Sequence, residues 1–153
     1  MTASHSRGPS IPRWRAWVAR LWWGDVAEAT LGRRGERAAA RHLKRLGYKL
    51  VRRNLRLPVG EADLLMRDPD GVTLVLVEVK TRLASGPGEA DHPPPEASVH
   101  AHKRAKLQQI RGALSRDRRF RGAPIRIDVV AVDWPAKGRG RPEIRHFIDA
   151  VRG

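Results

Sequence analysis

Two apolar segments joined by a short turn constrain the fold of this chain more than any other feature. Glu61–Met66 and Val72–Lys80 flank the sequence RDPDG, whose Pro, Asp and Gly residues favour a tight turn. Together the three pieces predict a β-hairpin. In the second segment Leu and Val occupy successive positions, so both faces of that strand are apolar. Both faces then have to be covered, which predicts a central strand in a layered α/β domain.

The segment before the hairpin predicts a helix from Gly32 to Leu46. It is rich in Ala, Leu and Arg, and Gly47 suits the left-handed position that follows a helix. An acidic residue, Glu36, falls on the expected inward face, although Glu is rarely buried unless it is paired. The whole predicted inward face consists of Glu36, Ala39, Ala40, Leu43 and Leu46.

Further strands and a second helix complete the predicted domain. The order α-β-β-β-α-β-β predicts a mixed β-sheet flanked by helices. The Gly- and Pro-rich stretch Leu83–Ala97 should be a loop. The additional predicted elements are a short strand at Tyr48–Val51, a basic helix from Val99 to about Arg116 with Leu107, Ile110 and Leu114 facing inward, a central strand at Ile125–Asp133 and an edge strand at Glu143–Ile148.

The first 31 residues are predicted to be an extension, and residues 32–150 the folded domain. Ser, Gly and Pro punctuate the beginning of the extension, which predicts a disordered tail. Pro12–Trp23 predicts an amphipathic helix with flanking arginines. Such a helix could contact a membrane surface, or it could dock on the domain or on a protein partner. Its apolar face consists of Trp14, Trp17, Val18, Leu21 and Trp22.

The formal charge of +15, from 31 Lys and Arg residues against 16 Asp and Glu residues, predicts attraction to polyanions. Nucleic acid and an acidic membrane surface both fit, although the arginine bias of a GC-rich genome would give a similar charge. The chain has no cysteine, so a metal site would need oxygen or imidazole ligands. No apolar run approaches the roughly 20 residues of a membrane span, and no segment has a signal-peptide pattern. We therefore expect a cytoplasmic protein without a transmembrane segment.

Charged residues at the ends of the predicted hairpin strands suggest a catalytic site. If the turn is centred between Asp70 and Gly71, Asp63 lies directly opposite Glu78. Opposed Cβ atoms are about 5 Å apart, where two carboxylates repel each other. Mg²⁺ would neutralise them, since it takes one or two protein carboxylates together with water and phosphate oxygens. Lys80, on the same face as Glu78, would add an ammonium group, and a metal beside a cation suits phosphodiester hydrolysis.

An ordinary salt bridge is the alternative interpretation of the same residues. Glu78 or Asp63 would then pair with Lys80 or a nearby Arg at the end of a strand. The catalytic interpretation is favoured by a coincidence of three features. The strand is strongly apolar, an Asp lies on the partner strand, and Glu36 falls on the inward face of the preceding helix.

The motifs around these residues are similar to those of the PD-(D/E)xK nuclease superfamily. More specifically, they resemble the YraN-like family of bacterial proteins, which is related to archaeal Holliday-junction resolvases. The resemblance extends from about Gly32 to Ala150. Its motifs are GERAAARHLKRLGY from Gly35, RRNLR from Arg52, GEADLL from Gly60, LVEVKTR from Leu76, VHAHKRAKL from Val99 and IRIDVVAV from Ile125.

This resemblance implies a restriction-endonuclease-like fold and gives roles to individual residues. Asp63 and Glu78 would be the ligands of Mg²⁺ or Mn²⁺. Lys80 would position water and phosphate. Glu36 would be the acidic residue that the first helix often supplies in this superfamily.

The expected function is a metal-dependent endonuclease that hydrolyses phosphodiester bonds in structured or branched DNA, with water as the nucleophile. Two alternatives are a non-catalytic nucleic-acid-binding module and an interaction protein that uses the Trp-rich helix. Because the resembling resolvases act as symmetric dimers, a homodimer is also expected. The resemblance implies backbone contacts from Lys103 and Arg82. The basic surface would add phosphate contacts from Arg52, Arg53, Arg56, Arg104, Lys106 and Arg111.

Overall fold

The computed structural model describes residues 30–83 and 101–151. Its elements follow the predicted order, and their arrangement is that of a restriction-endonuclease-like α/β fold. In chain order they are helix α1 at residues 30–45, β1 (Lys49–Leu57), β2 (Gly60–Arg67), β3 (Leu74–Leu83), α2 (Ala101–Arg116), a short 3-10 helix at Arg118–Phe120, β4 (Ile125–Trp134) and β5 (Glu143–Phe147).

The five strands form one mixed sheet in the order β1-β2-β3-β4-β5. Neighbouring strands are antiparallel except β3 and β4, which run parallel. A parallel pair needs a crossover connection, and α2 lies in the segment between these two strands. The predicted central strand, β3, is thus at the centre of the sheet.

The predicted register of the β2–β3 hairpin is confirmed. Leu64 pairs with Val77 and Arg67 with Leu74, and this register continued by one residue sets Asp63 against Glu78. The turn fixes the register through the side chain of Asp70. Its Oδ1 accepts hydrogen bonds from the backbone N–H groups of residues 72 and 73, at 2.7 and 2.8 Å. Such side-chain bonds to nearby backbone stabilise tight turns.

Two apolar cores lie on the two faces of the sheet, as the patterning of β3 predicts. Val75 and Val77 belong to the core beneath α1, whereas Leu74 and Leu76 belong to the core beneath α2. The helices contribute Ala38, Ala39, Ala40 and Leu43 from α1, and Leu107, Ile110 and Leu114 from α2.

Strand β1 corrects the sequence prediction, because it continues from Lys49 to Leu57 instead of ending at Val51. Its basic residues show no apolar pattern, since β1 is an edge strand with exposed positions. Pairing with β2 along its length keeps it extended, from Lys49 opposite Arg67 to Leu57 opposite Gly60. The chain therefore contains a second antiparallel hairpin that the sequence alone did not indicate.

Several predicted boundaries and one predicted core residue also change. Leu46 is 51% exposed, because it follows the last helical residue and does not belong to the inward face. Gly47 has a φ of 93°, as expected after a helix. β3 begins at Leu74 because the two preceding residues belong to the turn, and β5 ends at Phe147.

The predicted Trp-rich helix at Pro12–Trp23 and the predicted loop after Leu83 lie outside the described residues. The first two residues of the predicted second helix, Val99 and His100, do so as well. Within residues 30–83 and 101–151, no helix combines the length and the apolar character needed to cross a bilayer.

A buried carboxylate joins the two last strands at the end of the sheet that holds the hairpin turn. Asp128 is fully buried and accepts hydrogen bonds from Arg126, from His146 and from the backbone N–H of Asp149. Burial disfavours the charged form, but the bonds from His146, Arg126 and the backbone outweigh it and hold the pKa of Asp128 below its ordinary value. Arg126 also contacts Asp68 at 2.7 Å, so this network ties β4 to the hairpin turn.

Close packing between Gly35 of α1 and Thr81 of β3 sets the position of the first helix. A Cβ atom on Gly35 would lie 1.7 Å from Thr81 Oγ1 and 2.8 Å from its Cβ. Rotating the threonine side chain would not relieve the second contact, since Cβ does not move with χ1. Only glycine therefore allows α1 to approach the sheet this closely. The neighbouring residue, Glu36, owes its position to that approach.

We predict opposite effects for two glycine substitutions in α1. Gly35→Ala should lower the free energy of unfolding by about 1 to 3 kcal/mol, because the added methyl group overpacks the contact with Thr81. Gly32→Ala is the matched control, because nothing lies within 4 Å of the added atom. It should raise the free energy of unfolding by about 0.5 to 1 kcal/mol through helix propensity. Urea denaturation measures both, and equal effects would contradict the packing account.

Candidate active site

The predicted site residues of the hairpin meet where the β2–β3 ladder ends. The last paired residues before the site are Leu64 and Val77. One residue further, Oδ2 of Asp63 accepts a hydrogen bond from the backbone N–H of Val79 at 2.7 Å. The Asp63 side chain thus accepts a backbone N–H of β3 that a backbone carbonyl of β2 would accept in a regular antiparallel pair. This contact fixes the Asp63 carboxylate beside the backbone of Val79, the residue between Glu78 and Lys80.

Glu78 lies between two lysine side chains. It is only 4% exposed, and its Oε1 is 3.1 Å from Nζ of Lys80. Its Oε2 is 3.0 Å from Nζ of Lys103, which α2 contributes from the covering layer. The second contact is an ion pair without the alignment of a hydrogen bond, so Oε2 has no hydrogen-bond donor among the described residues.

Burial and the neighbouring charges shift the pKa values of Asp63 and Lys103. Burial, followed by repulsion from Glu78, raises the pKa of Asp63 to about 6. The Val79 N–H and Lys103 oppose this rise without cancelling it. Burial also disfavours the charged form of Lys103, but attraction to Glu78 and Asp63 outweighs it and raises the pKa of the lysine. Lys103 thus stays protonated at neutral pH.

A cavity of about 470 Å³ opens beside these groups. Asp63, Lys80 and Glu36 all line it, so α1 brings its inward-facing acid to the hairpin site. Glu36 is half-buried, and burial raises its pKa against the opposing charges of Arg53 and other arginines. The volume is within the range of small-molecule sites, roughly 300 to 1,000 Å³.

Carboxylate oxygens are the donors that a hard divalent cation prefers, and Asp63 and Glu78 are the pair able to supply them. In the part of the chain that the structure describes, no three carboxylate or imidazole side chains are grouped closely enough to hold a metal by themselves. Glu36 is therefore a neighbour in the cavity and not a third member of such a group. Mg²⁺ commonly uses one or two carboxylates and keeps several waters.

The residues predicted to contact nucleic acid lie on three different elements, β1, β3 and α2. Arg82 forms an ion pair with Asp133 on β4. Lys103 contacts Glu78, a contact that the sequence did not predict because it depends on how α2 packs across the sheet. Arg52, Arg53 and Arg56 are exposed on β1. Arg104, Lys106 and Arg111 belong to α2, where Lys106 lies beside Gly60.

A comparison with protein families decides where the chain belongs. The model of the family described as "Uncharacterised protein family UPF0102" matches residues 35–132, which is well over half of the chain. The chain belongs to the UPF0102 family. This confirms the resemblance to the YraN-like family. The matched segment includes Glu36, Asp63, Glu78, Lys80 and Lys103, and it excludes the N-terminal extension.

Individual relatives agree with this family. The chain is 45% identical over 117 residues to a UPF0102 protein of Clavibacter michiganensis, covering 76% of this chain and 93% of the relative. It is 38% identical to one of Geotalea uraniireducens, covering 79% and 88% of the two chains. It is 37% identical to one of Mycobacterium tuberculosis, covering 80% and 92%.

We predict that Asp63→Asn stabilises the fold at neutral pH. When a carboxyl group has a higher pKa in the folded state than in the unfolded state, the free energy of unfolding falls as the pH rises between the two pKa values. For Asp63 these values are 3.8 and about 6. Above that window, removing the charge should raise the free energy of unfolding by about 1 to 3 kcal/mol. The amide oxygen still accepts the bond from Val79.

Urea denaturation at pH 4.5 and pH 8 measures this effect. The difference between variant and wild type should be small at the lower pH and large at the higher one. A difference that does not change between the two pH values would contradict the assigned titration of Asp63.

Proposed function

We propose that this protein is a metal-dependent nuclease that hydrolyses phosphodiester bonds in nucleic acid, with structured or branched DNA as the substrate class. One observation supports it above the others. Asp63 and the buried Glu78 lie on adjacent strands, Glu78 contacts both Lys80 and Lys103, and Asp63 and Lys80 line a cavity. A cation site and fixed ammonium groups in one place suit phosphate chemistry.

The residues present fit a magnesium or manganese ion. Burial, followed by repulsion from Glu78, raises the pKa of Asp63, so a bound cation would stabilise the charged form of this carboxylate. Oε2 of Glu78 has no hydrogen-bond donor among the described residues. In this proposal Asp63 and Glu78 hold the ion through these carboxylate oxygens. When bound, the ion lowers the pKa of a water and stabilises charge on a phosphate oxygen.

The remaining groups have roles that their positions support. Lys80 is partly exposed at the cavity, so its Nζ can reach a phosphate oxygen and stabilise the negative charge that develops there. Lys103 neutralises Glu78 from the opposite element and holds that carboxylate in place. Glu36 lines the same cavity, and a raised pKa makes its carboxylate a better proton acceptor for water.

The charge of the chain supports a polyanionic substrate. A formal charge of +15 provides sequence-independent attraction to phosphates. Affinity should then fall steeply with salt, because each neutralised phosphate releases counterions. Affinity that does not depend on salt would count against a nucleic-acid substrate.

A non-catalytic nucleic-acid-binding module is the second candidate function. It is favoured by the pairing of Glu78 with both Lys80 and Lys103, because such ion pairs can be purely structural at a buried strand end. This module would bind nucleic acid in EDTA and would cleave nothing.

We predict metal-dependent cleavage that requires the hairpin residues. The assay uses labelled single-stranded, duplex, flap and four-way-junction DNA at low salt, with Mg²⁺, Mn²⁺ or EDTA. Asp63→Asn, Glu78→Gln and Lys80→Met should each lower the cleavage rate by about 10²-fold or more, since each removes a charge that acts on the reacting phosphate or its metal.

Glu143→Gln is the matched control. Its carboxylate is 73% exposed at the far edge of the sheet, so the cleavage rate should stay within about twofold of wild type. Wild-type protein that binds these DNAs but cuts none of them with either metal would leave the binding module as the function.

A further inference from the structure

A second groove lies along β1, on the face of the sheet that α2 covers. It encloses about 250 Å³. Its apolar lining includes Leu55, Leu65 and Phe120, the last from the short 3-10 helix. Its basic lining is Arg52, Arg56 and Arg119. The groove therefore has an apolar floor with three guanidinium groups around it. The residues proposed for cleavage do not include any of its lining residues.

A depression and Lys103 lie between this groove and Glu78 of the candidate active site. The depression, of about 320 Å³, shares Arg56 and Leu57 with the groove and extends to Glu61 and Lys106. Nζ of Lys103 lies 3.5 Å from the carbonyl oxygen of Glu61, in addition to its contact with Glu78. Lys103 thus contacts both Glu78 and the backbone of Glu61, a residue that lines the depression.

Asp117 orients Arg119 at the far end of the groove. Its Nε and a terminal nitrogen donate to the two carboxylate oxygens of Asp117, at distances of 2.7 to 3.2 Å. Its guanidinium carbon lies 5.5 Å from the centroid of the Phe120 ring. The side chain is nevertheless 75% exposed. A flat cation that is oriented by the protein and open to solvent is a stacking surface for a nucleobase.

The chemistry of the groove selects a nucleic-acid strand whose bases are unpaired. Arginines can bind its phosphates, while the apolar floor of the groove and the guanidinium plane contact its nucleobases. In a duplex the bases are stacked inside, so only the phosphates would reach the arginines. Among the described residues that line the groove and the depression, Glu61 is the one acid, and it is 3.7 Å from Arg56.

A second copy of the chain is a less suitable occupant. Among the described strands β1 pairs with β2 alone, so its other edge could accept a strand from another molecule. An antiparallel pair of two β1 strands would bring the arginines of both copies together. Like charges that face each other across strands are destabilising. The positive edge therefore favours a polyanion over self-association.

We propose that the groove along β1 binds a single-stranded segment of nucleic acid adjoining the bond to be cut. The inference rests on the proposed nuclease function and narrows its substrate class to nucleic acid with an unpaired strand next to a duplex. Arg119 would stack on a base, and Arg52 and Arg56 would contact the phosphates beside it.

Binding measured in EDTA tests the groove without requiring cleavage. Fluorescence anisotropy of a labelled oligothymidylate and of a duplex of equal length gives the two affinities at one salt concentration. Arg119→Ala should weaken single-strand binding about tenfold and duplex binding no more than about twofold. Arg119→Lys should weaken single-strand binding nearly as much, because lysine keeps the charge and loses the planar group.

Arg118→Ala is the matched control, since Arg118 is an exposed arginine of the same 3-10 helix that does not line the groove. It should weaken both affinities equally and only slightly. Phe120→Leu keeps an apolar side chain and removes the ring, so it should reduce the single-strand preference. Equal losses on single strand and duplex for Arg119→Ala, or full rescue by Arg119→Lys, would overturn the proposal.

Cleavage of a flap substrate separates this inference from the proposed function. If the Arg119 variants lose single-strand binding while the wild type cuts nothing with any metal, the groove proposal holds and the nuclease proposal fails. If the wild type cuts and the Arg119 variants match Arg118→Ala in binding, the nuclease proposal holds and the groove proposal fails. Loss of single-strand binding together with slower flap cleavage supports both.

Discussion

The pairing register of β2 and β3 is the constraint on which the rest of the structure depends. A slip of one residue would move every side chain of the central strand to the opposite face. Leu74 and Leu76 would then leave α2, and Val75 and Val77 would leave α1. The same slip would separate Asp63 from its position opposite Glu78. Folding and site geometry are thus specified by one hydrogen-bonded turn.

Electrostatics at the end of this hairpin work against the stability of the fold. Two acids are brought together in a half-buried place, and the pKa of Asp63 rises to about 6, chiefly because of burial. Lys80 and Lys103 compensate Glu78 from two different elements. A region where charge is concentrated at a cost to stability is typical of sites whose arrangement is kept for function. On β4, Asp128 shows the contrasting case of a buried acid that is hydrogen-bonded by Arg126, His146 and the backbone.

Local patterns made much of this predictable from sequence. The turn chemistry around Asp70 and the alternation of β3 gave the correct register, faces and central position. The length of β1 could not be predicted, because an edge strand with basic residues has no apolar period, and its extended form is imposed by β2. The contact of Lys103 with Glu78 was missed for a related reason. It depends on how a helix docks across the sheet, which no spacing along the chain records.

The topology of the sheet also implies an order in which the site assembles. Strands β1, β2 and β3 are consecutive hairpin partners, and such local pairings form within roughly microseconds. The parallel pairing of β3 with β4 joins residues about fifty positions apart, as in Val77 with Asp128, and requires the crossover to close first. Lys103 lies within that crossover. During folding the two acids should therefore meet before their partner on α2 arrives, so that docking of the second helix completes both the core and the charge balance of the site.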